Sequence, residues 1–66
     1  MDIGKRINTS LGKVIILDIQ EKYLILFNEK NRQFIKANDY KKDNDNKVSW
    51  SGGGYYSSLN ELIKEI

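Results

Sequence analysis

The sequence predicts a small α+β fold: a strongly bent antiparallel sheet of four strands, or five if the opening residues pair, followed by one short C-terminal amphipathic helix. Two β-branched apolar runs, "KVIILDI" and "YLILF", lie only three polar residues apart. The chain ends on a helix start, Ser58 standing three residues before Glu61, with Leu59, Leu62, Ile63 and Ile66 spaced as one apolar stripe. No repeat, low-complexity tail or proline-rich linker interrupts it, so residues 1–66 form a single domain.

Taken in order, Ile3, Lys5 and Ile7 alternate as a short strand would, and "NTSLGK" is a turn with Gly12 as its flexible element. "KVIILDI" is the clearest strand. In "YLILF", Tyr23, Ile25 and Phe27 point one way and Leu24 and Leu26 the other. "NEKNR" supplies a hairpin turn and "QFIKA" returns as the third strand. "NDYKKDNDNK", rich in Asx turn formers, is expected to be an exposed loop, and "KVSW" to be the fourth strand. A helix as short as the last one does not persist alone in water, so it must dock, and the sheet is its natural receiver.

The helix can cover only one face of a sheet whose first two clear strands are apolar on both. A chain of this length supplies little core, and it has no cysteine for a disulfide. A bent sheet combined with self-association, as a homodimer, is therefore expected, with a closed monomeric barrel as the alternative.

Composition narrows the function. The absence of histidine removes the commonest general base and metal ligand, and the absence of cysteine removes thiolate chemistry. The serines, tyrosines, lysines and carboxylates fall in no catalytic spacing, so no enzyme and no cofactor is expected. The net charge of +2 lies well short of a dedicated nucleic-acid binder. With no run long enough to span a bilayer and no apolar leader, a cytoplasmic location without membrane contact is expected.

Three features could still carry chemistry. Gly52, Gly53 and Gly54 offer bare amides near a helix start, as a phosphate cradle would, but the Gly-Lys-Ser/Thr ending of a P-loop is missing. A flexible corner that turns the chain from sheet to helix accounts for them better. Asp43 and Asp45 match the first ligands of a calcium loop, yet Val48 and Gly54 stand where its glycine and bidentate glutamate belong, which leaves an Asx-rich turn. Trp50, Tyr55 and Tyr56, with Phe34 and Tyr40 within reach and Lys36, Lys41, Lys42 and Lys47 interleaved, suit a protein interface or stacked bases equally well. Their bland alternative is a core role for Trp50 and one tyrosine, the other shielding backbone beside the glycines.

The ending "GGYYSSLNELIKEI", through Gly54, Tyr55, Tyr56, Ser58, Leu59 and Leu62, resembles small proteins of phages and other mobile elements that carry a "GYY-x-S/T-L-x-x-L" tract before an amphipathic helix. The strand order also resembles the single-stranded-DNA-binding cofactor fold. The first resemblance implies a non-catalytic protein that binds and occludes a host protein or protein–nucleic acid complex, for example as an inhibitor of a defence system such as a CRISPR nuclease. The contact residues expected are Trp50, Tyr55, Tyr56, Lys41 and Lys42. The competing expectation is a single-stranded nucleic-acid-binding module that uses the same aromatics and lysines.

Overall fold

The computed structural model describes all of residues 1–66. Seven strands form one sheet: β1 (Arg6–Thr9), β2 (Gly12–Ile19), β3 (Tyr23–Asn28), β4 (Gln33–Asn38), β5 (Lys41–Lys42), β6 (Lys47–Ser49) and β7 (Gly52–Tyr56). One helix, α1 (Leu59–Ile63), follows. The α+β class stands, but the strand count exceeds four or five, and the sheet is mixed because β1 pairs with β6 in parallel. The hydrogen-bonded order is β5-β6-β1-β2-β3-β4-β7.

The first four strands form a meander, as alternating apolar runs separated by short polar turns should. Thr9 is buried at the first turn, where its Oγ1 donates to the Gly12 carbonyl and accepts the Leu11 N–H. Between β2 and β3 the register slips at Ile16 and Asp18, leaving Leu17 as an extra residue that bends the strand. Asn28, also buried, accepts the Lys30 N–H and so opens the β3–β4 turn.

The rest of the chain is one long hairpin folded at its waist. The pairs Phe34↔Tyr56, Asn38↔Gly52, Lys41↔Ser49 and Lys42↔Val48 advance along both chains without a slip. Residues 33–42 and 47–56 are thus two arms of a single ribbon. Asp39 and Tyr40 on one arm, and Trp50 and Ser51 on the other, lie between the strands at the fold, where the Ser51 N–H still donates to the Asn38 carbonyl at 3.1 Å. The stretch expected to be a loop is therefore partly strand. The corner falls at Trp50 and Ser51, and the glycines continue as β7 beside β4.

This waist forces the sheet to curl. In the hydrogen-bonded order β6 and β7 stand five strands apart, about 24 Å if the sheet were flat. Only Trp50 and Ser51 join them, a reach of about 11 Å from Ser49 to Gly52. The sheet wraps round accordingly, without closing its ladder.

Inside the curl, Val14, Ile16, Leu24, Leu26, Ile35, Ala37 and Val48 form one buried cluster, with Ile7, Ile19, Tyr40 and Trp50 packed against it. Leu62 is fully buried but lies outside this cluster, and α1 packs on β4 and β7. Only Leu62 of the predicted stripe is buried; Leu59, Ile63 and Ile66 face solvent. A helix of five residues has one turn to press against the sheet, so a single side chain anchors it.

Candidate functional site: the β7 edge and the helix beside it

Two of the three glycines are required, each for a different reason. Gly53 lies at φ +121°, and a Cβ there would land on the Lys36 carbonyl of β4. Only glycine permits that approach. Gly54 lies beneath the Tyr56 ring, whose hydroxyl oxygen would be 2.6 Å from an added Cβ. Residues 54 and 56 share a sheet face, and the tyrosine folds back to cover the backbone that glycine leaves bare. Gly52 has no neighbour closer than the Asn38 Cβ at 3.9 Å.

β4 divides its main-chain bonds in a way that defines the open edge. Asp39 N–H donates to the Lys22 carbonyl at 2.8 Å, in step with the Tyr23↔Asn38 pair. Ladder parity then turns Ile35 and Ala37 toward β3, and Phe34, Lys36 and Asn38 toward β7. Tyr56, Gly54 and Gly52 answer the latter three. The N–H and C=O of Gly53 and Tyr55 are left on the side of β7 that has no neighbouring strand.

The five expected contact residues separate into three groups. Trp50 and Tyr55 come together: with Ser51 and the three glycines they line a shallow cleft of about 260 Å³. Trp50 is half-buried, standing opposite Tyr40 at the waist with both rings against the core, whereas Tyr55 is 53% exposed. Tyr40 is held there by its hydroxyl, which donates to the Gln20 carbonyl at 3.0 Å. Tyr56 turns to the outer face of the sheet. Lys41 and Lys42 form β5; Lys42 lines a second cleft of about 250 Å³ with Met1, Asp2, Lys5 and Arg6. There Lys5 pairs with Asp2 at 3.5 Å, and Arg6 pairs with Glu29 at 3.0 Å.

The outer face carries an aromatic row that sequence spacing did not single out. Arg6, Ile15, Phe27, Phe34 and Tyr56 follow one another across five strands. Phe27 and Phe34 meet with ring centroids 4.8 Å apart, and the Lys36 ammonium stands 5.0 Å from the centre of the Tyr23 ring. Asp43 is occupied as a turn former, its Oδ1 accepting the N–H groups of Asp45 and Lys47, both at 2.9 Å.

Exposed apolar side chains gather toward the C-terminus. Of the seven large hydrophobics left exposed, four (Tyr55, Leu59, Ile63 and Ile66) lie in the last twelve residues. Val48 to Asn60 is also an unbroken run of thirteen residues without a charge, in a chain that carries eleven basic and nine acidic side chains. That run is a signal present in the sequence, and it marks the stretch that holds the cleft, the open edge and the start of the helix. No helix is long and apolar enough to cross a membrane. Compared with protein-family models, curated proteins and solved structures, the chain matches none.

Proposed function

We propose that the chain is a non-catalytic binding protein that acts by occluding a partner protein. A component of a host defence system is the class of target that its mobile-element-like ending suggests. The observation that carries this reading is the concentration of exposed apolar side chains on α1, which packs on β7. Leu59, Ile63 and Ile66 remain 40%, 52% and 62% exposed on a helix that needs only Leu62 to dock. Apolar groups left out in this way, beside aromatics, are the raw material of an interface centre, with polar residues as its rim. Lys41, which pairs with Ser49 beside Trp50, serves in this reading as a rim charge that steers encounter more than it adds affinity.

A second reading, single-stranded nucleic-acid binding, is favoured by the outer-face aromatics and by Lys36. It ranks lower because Phe27 and Phe34 already pack on each other and Lys36 is engaged with Tyr23. Capture of partners from host extract, with and without nuclease, separates the two. A protein retained by wild-type bait after nuclease treatment, and lost with Ile63→Lys bait that is still folded, is the expected result. Capture that disappears with nuclease, or that Ile63→Lys leaves unchanged, contradicts the proposal.

A further inference from the structure

We infer that the open edge of β7 pairs with β7 of a second copy of this chain, antiparallel about a two-fold axis. The inference goes beyond the proposed function and does not depend on it. The two edges of the sheet are treated very differently. β5 is two residues long and both are lysines, a short charged strand of the kind that blocks edge pairing. β7 has five residues, "GGGYY", with no charge and no proline, and its outer side has no neighbouring strand. An unpaired edge without protection is a template for another strand.

Charge and size select a second copy as the occupant. A two-fold axis sets the seam segment of one copy against the same segment of the other, so an uncharged segment meets an uncharged segment and desolvates no charge. β7 lies inside the thirteen-residue uncharged run, and no other uncharged run in the chain is as long. The monomer buries only nine hydrophobic residues, near the limit for an independent fold. A stable two-fold contact takes about 800 Å² from each copy, roughly a sixth of the 4629 Å² surface.

The register follows from the main chain. Gly53 and Tyr55 hold the unpaired N–H and C=O groups, so the axis passes by Gly54. Gly53 of each copy lies opposite Tyr55 of the other. Each such pair exchanges two hydrogen bonds. Gly53 projects no side chain on the face from which Tyr55 rises, so the exposed ring of Tyr55 from the second copy lies over its backbone. This gives Gly53 a second role beside its close approach to Lys36.

Amide hydrogen exchange followed by NMR across protein concentration tests this without a mutation. In a monomer the Tyr55 N–H is open to solvent, while the Gly54 N–H is held by β4. Protection of Tyr55 that rises with concentration in step with the dimer fraction from analytical ultracentrifugation is expected. Tyr55→Lys, which places a charge on the seam, should weaken dimerisation by about tenfold or more, while Ile63→Lys on the helix should leave it intact. Circular dichroism and the Gly54 amide report that each variant retains its fold. A wild-type protein that stays monomeric into the millimolar range overturns the inference. So does a dimer in which Tyr55 exchanges freely, or one broken by Ile63→Lys and not by Tyr55→Lys.

Discussion

Gly53 and Gly54 are adjacent and chemically identical, yet they are required for unrelated reasons, so substitution should separate them. Gly53→Ala combines a left-handed φ with a Cβ driven into the Lys36 carbonyl, and should lower stability by about 3 kcal/mol or more by detaching β7 from β4. Gly54→Ala must displace only the Tyr56 ring, and should cost about 1–2 kcal/mol. That cost should fall toward zero in a Tyr56→Ala background, because the clash partner is gone. Gly52→Ala meets only the Asn38 side chain at ordinary contact distance, and should stay within about 0.5 kcal/mol of wild type. Urea midpoints for the five variants give this order directly. At this scale the sequence shows that glycine is needed but not which glycine. The deciding facts are the position of a carbonyl on another strand and the rotamer of a tyrosine two residues on.

The terminal helix was legible as an element and misleading as a packing unit. Ser58 does cap it, its Oγ accepting the Glu61 N–H at 3.2 Å. The reciprocal half of the capping box is absent, since the Glu61 carboxylate accepts from the Ser57 hydroxyl instead. Ser58→Ala should therefore cost about 1 kcal/mol, the value of a single cap. The four apolar residues read as one buried stripe, but a five-residue helix buries only Leu62. Leu62→Ala should destabilise by about 3 kcal/mol, whereas Ile63→Ala should change stability by about 0.5 kcal/mol or less. Thermal melts of the pair test this. Equal losses at both positions would mean that Ile63 is also docked. Periodicity reports that a face is apolar; it does not report how many of its residues find a receiver.

Across the whole molecule, the apolar runs and "KVSW", which holds β6, are legible in sequence as strands, whereas β5 and the glycine-led β7 are not. β5 is two lysines, and although β6 is legible as a strand, its parallel pairing with the distant β1 is not. Such a pairing leaves no local mark. It arises because one hairpin of constant register bends at Tyr40 and Trp50 and carries its tip round to β1. The waist should be a structural weak point: Trp50→Ala removes a ring packed on the core, and should cost about 2–3 kcal/mol. The Trp50–Tyr55 neighbourhood was legible because both flank the glycines. The exposed helix stripe and the open main chain of β7 were not, since they depend on what the sheet leaves uncovered.

Under the proposed function the apolar C-terminal end meets the protein partner, and side-chain oxidation footprinting of the chain, free and bound to a captured partner, locates that contact. Leu59, Ile63, Ile66 and Trp50 should lose reactivity on binding, while Tyr23, Phe27 and Phe34 keep theirs. Loss of reactivity along Tyr23, Phe27 and Phe34, with the helix residues unchanged, would place the contact on the outer sheet face instead.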